Sequence, residues 1–266
     1  TKFSKELLDR LPKLRMIALT GGRTWTMDFD TLNSRRIPVC HTGGEKSGAA
    51  TAEIALGLLL SAARSINRGD AAIRDGGFQG GVPAGEVLDG KTLGIIGLGK
   101  IGTRMARYGA ALGMQVVAWS ANLTVEKASA AGARLVDKTT LLMQSDAISL
   151  HLVLSDRTRG ILGAQDLARM KRGAILINTS RGPLVDEAAL VERLKTGKLI
   201  AGLDVFAQEP LPADHPLRNL PNTVLTPHLG YCVREVYAQF YRESIDNVLA
   251  FLDGKPNRVI NPEALH

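Results

Sequence analysis

Lys91–Gly102, KTLGIIGLGKIG, is the stretch whose reading decides the fold. An apolar run, Leu93 to Ile96, ends in Gly97, Gly99 and Gly102, and an amphipathic run with Ile101, Met105, Ala106 and Leu112 on one face follows. Strand, glycine turn and helix are the context that the G-x-G-x-x-G spacing requires. Gly97 permits the tight turn, Gly99 lets the backbone approach a pyrophosphate, and Gly102 lets the helix pack on its strand. Phosphates can then sit on the positive helix N-terminus, over Lys100 and Ile101. The turn Asp89-Gly90 before the strand, Gly113 after the helix and a second apolar strand at Met114–Trp119 complete a unit of about the 30 residues a βαβ needs. A dinucleotide is the expected ligand, and a βαβ crossover that binds nothing is the alternative to weigh.

Outward from that unit, strand-length and helix-length segments alternate. Helices are expected at 125–131, 139–144, 164–170 and 187–195, and strands at 134–136, 147–152, 174–178, 200–204 and 223–226. The pattern predicts an α/β fold with a doubly wound parallel sheet. Before the unit, 4–11 reads as a short helix, 14–19 and 37–40 as strands, and 49–67 as an Ala/Leu helix apolar on most faces, buried between domains or against another subunit. Residues 69–88 read as a glycine-rich mobile loop, and 234–253 as a closing amphipathic helix.

At 266 residues the chain can form one large or two ordinary domains. Its 45% apolar and 22% charged residues are a soluble globular balance, and no apolar run reaches the length of a membrane span. With no signal-peptide pattern at the charged N-terminus, a cytoplasmic protein is expected. Cys40 and Cys232 suggest neither a disulfide framework nor a metal site, so no metal is expected. The net charge of +7 is spread along the chain without a nucleic-acid recognition motif, and suits the steering of anionic metabolites better than nucleic-acid or membrane binding.

In a parallel sheet the reactive residues belong at the carboxyl ends of strands. Three such ends carry Asn178-Thr179-Ser180-Arg181-Gly182, Asp204-Val205-Phe206-Ala207-Gln208-Glu209-Pro210 and Thr226-Pro227-His228-Leu229-Gly230. Together Arg181, Glu209 and His228 offer a guanidinium, a carboxylate and an imidazole, the set a 2-oxo or 2-hydroxy acid needs. Arg binds the acid, His carries the proton, and Glu orients and charges the His. Singly, each has a structural reading: Arg181 pairing with Asp186, Glu209 exposed before a proline, His228 satisfied in a core. Their joint occurrence beside a dinucleotide turn favours chemistry. His41 and His215 sit in loops, His266 is terminal, and His151 ends a strand without an acidic partner in view.

The segments GLGKIG, INTSRGPLVDEAAL, GLDVFAQEPL and TPHLG together resemble the D-isomer-specific 2-hydroxyacid dehydrogenase family, from about Leu14 to the final helix. The resemblance implies catalysis by Arg181, Glu209 and His228, with Arg181 on the substrate. It places Asp204 and the backbone after Asn178, including Thr179, at the nicotinamide. It also implies an NAD(P)-binding domain over 50–232 and a smaller flavodoxin-like substrate domain from 1–49 and 233–266, with Gly22 and Arg23 of the TGGR turn near the substrate carboxylate. A homodimer joined through the nucleotide domain would follow. The expected reaction is hydride transfer between NAD(P)H and glyoxylate, hydroxypyruvate or a similar acid; a catalytically silent sensor of the same fold is the other reading.

Two departures qualify the resemblance. The second strand of the dinucleotide unit ends Trp119-Ser120-Ala121-Asn122, without the acidic residue that binds a ribose 2′-OH. Ser120 and Asn122 can hydrogen-bond a 2′-phosphate without repelling it, so the reading leans to NADP over NAD. Family members also carry further strand and helix units before the segment that begins at Thr1, so the smaller domain is expected to be partial.

Overall fold

The computed structural model describes residues 2–21 and 27–266. In it the apolar half of KTLGIIGLGKIG is an inner strand whose Leu93, Ile95 and Ile96 are fully buried, each contributing about 1.5–3 kcal/mol relative to an exposed position. In chain order the strands are β1 (Ile17–Leu19), β2 (Val39–His41), β3 (Thr92–Ile96), β4 (Gln115–Trp119), β5 (Arg134–Leu135), β6 (Ala147–Leu150), β7 (Ala174–Asn178), β8 (Leu199–Leu203) and β9 (Thr223–Leu225). The helices are α1 (Lys5–Asp9), α2 (Phe29–Ser34), α3 (Ser47–Arg64), α4 (Ile66–Arg74), α5 (Lys100–Ala111), α6 (Val125–Ala130), α7 (Lys138–Gln144), α8 (Ala164–Arg169), α9 (Glu187–Lys195) and α10 (Arg234–Leu252).

The chain divides into two compact units, residues 48–231 and residues 1–47 with 232–266. The larger holds a seven-stranded, all-parallel sheet in the order β5-β4-β3-β6-β7-β8-β9. Strand order reverses at β3, which pairs with β4 on one side and β6 on the other. The crevice at that switch point is where doubly wound sheets bind ligands. β6 and β7 are buried at every residue, as strands covered on both faces must be. One apolar layer gathers Leu141, Leu142, Leu167 and Leu190; the other gathers Leu58, Leu59, Met105 and Ala106. Asp137 and Asp186 cap α7 and α9 by accepting the N–H of Thr140 and Ala189.

Among the described residues, the smaller unit pairs β1 with β2 in parallel and packs Leu8, Leu32, Ile37 and Val39 into its own core. Buried Asn261 holds it together, accepting the Val39 N–H and donating to the Ile37 carbonyl.

The expected long helix at 49–67 is instead α3 followed by α4, with Ser65 between them at φ 53°. Part of the expected mobile loop is therefore α4. The apolar face of α3, expected to meet another domain or subunit, lies on the larger unit's own sheet: a Cβ on Gly202 of β8 would come within 2.9 Å of Leu58 Cβ. Among the described residues no single helix is long and apolar enough to cross a membrane; the α3–α4 pair, bent by 69°, has the length and composition only when its two helices are taken together.

Candidate active site

The glycine turn leaves β3 through Gly97, whose φ of 97° is left-handed and disfavoured for any residue with a side chain. The space beside Gly97 is taken by the His151 carbonyl, 2.6 Å from where its Cβ would stand. Gly102, in the first turn of α5, lies against the Gly97 carbonyl so closely that a Cβ has no room. Gly99 differs: among the described residues nothing lies within 4 Å of its Cβ position, so the backbone there faces open space in front of the α5 N-terminus. Lys100 is exposed, Ile101 partly buried, and no acidic residue occupies the first turn. That is a cradle for a phosphate pair. After β4, Ser120 is partly buried and Asn122 exposed, in a turn closed by the Leu123 N–H to the Ser120 carbonyl at 3.1 Å. Thr179, 5% exposed, carries a buried hydroxyl oxygen without a hydrogen-bond partner among the described residues, a polar atom suited to a bound nicotinamide. The glycine cradle and this atom fit a dinucleotide.

Past β7 the backbone is pinned side chain by side chain. Asn178 Nδ2 donates to the Arg181 carbonyl at 2.9 Å, and its Oδ1 accepts the Ser180 N–H at 3.0 Å. Ser180 Oγ donates to the Leu150 carbonyl across the sheet at 2.8 Å. Arg181 is then presented exposed, with Nη1 on the Ser180 carbonyl at 2.6 Å.

Past β8, Glu209 turns back on its own loop: Oε1 accepts the Phe206 N–H at 2.9 Å, and Oε2 lies 2.6 Å from His228 Nδ1. Past β9, His228 sits in a left-handed turn at φ 57°, its N–H on the Asp204 carbonyl at 2.9 Å. Its ring meets Tyr231 edge to face at 5.7 Å between centroids. The carboxylate of Asp204, expected to line the nicotinamide, is fully buried and turned to this loop. Oδ1 accepts from Thr226 Oγ1 at 2.5 Å and the Leu229 N–H at 2.7 Å, and Oδ2 from the Gly230 N–H at 2.9 Å. These bonds tie it to the segment that carries His228.

The electrostatics are reciprocal. The hydrogen bond that His228 donates to Glu209 raises the His228 pKa; burial works against it, the Glu209 charge adds to it, and the charges of Arg181 and Asp204 act in opposite senses. Burial tends to raise the Glu209 pKa, but the hydrogen bonds from His228 and the Phe206 N–H, with the His228 and Arg181 charges, take it below its ordinary value. Both shifts favour the carboxylate beside an imidazolium.

Arg181, Glu209, His228, the glycine turn, Ser120, Asn122, Thr179 and Asp204 all belong to the larger unit. Gly22 and Arg23 lie outside the described residues. His151 bonds Ser149 Oγ through Nε2 at 2.9 Å, and burial lowers its pKa to about 3, which keeps it neutral. His215, in the loop after β8, has an acidic partner: Nε2 lies 3.2 Å from Glu187 Oε1. Nothing in the sequence joins those two positions. Among the described residues, no cluster of His, Cys, Asp and Glu gathers as a metal site.

The family model described as D-isomer specific 2-hydroxyacid dehydrogenase, NAD binding domain, matches residues 56–230. The chain is 39% identical over 273 residues to a glyoxylate reductase of Thermococcus litoralis, covering 99% of this chain and 82% of that protein. The phosphoglycerate oxidoreductase structure from Vibrio cholerae superposes with a TM-score of 0.91 at 36% identity, covering 96% of this chain and 82% of that one. D-lactate dehydrogenase of Aquifex aeolicus, solved with NAD and lactic acid, gives a TM-score of 0.80 at 29% identity over 96% of this chain and 81% of that one.

Proposed function

The chain belongs to the D-isomer specific 2-hydroxyacid dehydrogenase family, and from that premise we propose that it reduces small 2-oxo acids such as glyoxylate or hydroxypyruvate with NAD(P)H. The observation that carries the reading is the His228–Glu209 pair, 2.6 Å apart, in the same unit as an exposed Arg181 and a glycine turn built for a dinucleotide. The Thermococcus litoralis relative named glyoxylate reductase supports the substrate class.

Gly97, Gly99, Gly102 and the α5 N-terminus would hold the pyrophosphate, and Thr179 the nicotinamide end. The bound dinucleotide supplies hydride to the substrate C2. Arg181 holds the substrate carboxylate by its guanidinium fork. Glu209 engages His228 Nδ1, which fixes the ring and assigns proton transfer to Nε2. The imidazolium, favoured by the adjacent carboxylate, gives its proton to the C2 oxygen in reduction and takes it back in oxidation. Asp204 keeps the His228 turn in place.

The larger unit is then the nucleotide-binding domain, and the smaller one, with 232–266, the substrate-binding domain. Ser120 and Asn122 favour NADP(H) over NAD(H), since neither repels a 2′-phosphate. The exposed Ile66, Ile73, Phe78 and Val87 on α4 and the segment after it supply apolar surface that a homodimer would cover. The protein works in the cytoplasm on small anions.

The test is NADPH and NADH oxidation, side by side, with glyoxylate, hydroxypyruvate, pyruvate and bulkier 2-oxo acids. The expected result is turnover of the first two, with NADPH at least as effective as NADH. Cofactor binding without turnover of any of them would overturn the enzymatic reading, and a tighter Kd for NADH would overturn the NADPH preference.

A further inference from the structure

We propose that Glu187 and His215 form a second acid–imidazole pair whose task is to hold the loop that carries Glu209, making both of them positioning residues for the proton-transferring His228. The inference rests on the dehydrogenase reading above and concerns the same site.

Glu187 is the first residue of α9, beside the cap residue Asp186. A glutamate there has a general reason to exist, because a negative charge near a helix N-terminus is favourable. That reason asks only for a carboxylate facing water. Here the side chain, 22% exposed, turns to the Glu209 loop, and Oε2 accepts the Ala207 N–H at 3.0 Å. Its other oxygen lies 3.2 Å from His215 Nε2. The tautomer of His215 follows from its second contact: Nδ1 accepts the Leu217 N–H at 3.3 Å, so the proton is on Nε2 and points at Glu187. With His215 18% exposed, one imidazole ties the 3-10 turn at Pro216–Asn219 to the start of α9.

The position of Ala207 gives the pair its consequence. Two consecutive amides, of Phe206 and Ala207, donate to two different carboxylates: Phe206 to Glu209 Oε1 at 2.9 Å and Ala207 to Glu187 Oε2 at 3.0 Å. The orientation of this stretch aims the Glu209 side chain, whose other oxygen meets His228. A third restraint comes from Gly182, beside Arg181, which is packed directly on the 206–207 peptide. The stretch that aims Glu209 is therefore fixed from the Arg181 segment at two points, Gly182 and Glu187, and His215 steadies the second.

The test uses the full chain and four variants: Glu187→Ala, Glu187→Gln, His215→Ala and the Glu187→Ala/His215→Ala double. Readouts are kcat against pH, cofactor KM, melting temperature and the NMR titration of the His228 imidazole, on which the charges of Glu209, Arg181 and Asp204 act. Glu187→Ala should lower kcat about tenfold, less than the ~10² that a 1 Å misplacement costs, with cofactor KM within about twofold. The His228 titration should move to lower pH. Glu187→Gln, which keeps an oxygen for the Ala207 N–H, should retain most of the rate and the titration. The double variant should be no worse than Glu187→Ala, the non-additivity of residues acting as one. A folded Glu187→Ala with wild-type kcat and an unmoved His228 titration overturns the proposal. So does a rate loss that tracks melting temperature alone, equal in the Ala and Gln variants. If Glu187→Ala does not fold, Glu187→Gln and His215→Ala decide on the same readouts. A wild type without turnover whose His228 titration still responds to Glu187 would overturn the catalytic reading and leave the positioning role standing.

Discussion

Replacing Gly182 by alanine tests whether the Arg181 and Glu209 loops act as one rigid piece. Gly182 opens the 3-10 turn Gly182–Leu184 and is not among the left-handed glycines, so alanine brings no backbone strain there. The whole cost is contact. A Cβ would stand well inside 3.0 Å of Phe206 C, Phe206 O and Ala207 N, all of them backbone atoms that cannot rotate away. Restoring ordinary contact, which begins at 3.4 Å, requires the two segments to separate by on the order of 1 Å. Overpacking of this kind costs about 1–3 kcal/mol of stability, at roughly 2–4 °C of Tm per kcal/mol for a chain of this size. A 1 Å misplacement of positioned groups costs about 10² in rate. Gly182→Ala should therefore stay folded, melt several degrees lower and lose roughly a hundredfold in kcat. Nucleotide affinity, which depends on the turn after β3, should change by less than about twofold. The assays are steady-state NAD(P)H oxidation, nucleotide fluorescence titration and thermal melting. A folded Gly182→Ala enzyme with wild-type kcat would refute the idea that the 206–207 peptide has to stay where it is for proton transfer.

Two further substitutions probe the site separately. Glu209→Gln removes the charge that raises the His228 pKa. Reduction needs the imidazolium and is lost as pH rises through that pKa, so the alkaline limb of kcat should move to lower pH; an unmoved limb in a pH–rate profile would contradict the pairing. Gly102→Ala would push a methyl against the Gly97 carbonyl, lifting α5 from β3. It should weaken nucleotide binding by at least about tenfold while costing ~1–3 kcal/mol of stability, and an unchanged Kd by fluorescence titration would count against the cradle.

The dinucleotide unit was legible because its turn is local: Gly97 takes a left-handed φ and Gly102 lies against the Gly97 carbonyl five residues back, so spacing records them. The alternation after Gly113 was legible for a similar reason: each buried strand is a short apolar run closed by a turn residue. α4 was not. Its Gly69 and the Gly76-Gly77 pair read as loop, and the residue that actually breaks the long helix, Ser65 at φ 53°, carries no mark of a left-handed conformation. α2 at Phe29–Ser34 was also missed, although Asp28 caps it by accepting the Thr31 N–H. Strand-end position identified Arg181, Glu209 and His228 as candidates, but could not say which way Asp204 turns, since a carboxylate at a strand end can face a ligand or its own backbone. The Glu187–His215 pair was out of reach altogether: the two residues meet only once α9 and the loop after β8 are folded, and neither interrupts a pattern.

What the folded site adds is a division of labour between exposed and buried side chains. His228 and Glu209 are each about one third exposed, at 35% and 34%. The side chains that pin the strand-end segments are buried: Asn178, which holds the Arg181 segment, is 1% exposed, and Asp204, which holds the His228 segment, 0%. A buried carboxylate is tolerable only when donors surround it, and Asp204 has three, all from the segment that carries His228. Distorting the turn around His228 would take donors away from a buried carboxylate, which costs free energy that a solvent-exposed loop would recover from water. The energetic penalty of the buried charge is thereby converted into positional precision for an imidazole that stays open to substrate, and electrostatic preorganisation of this kind lets proton transfer proceed with little rearrangement.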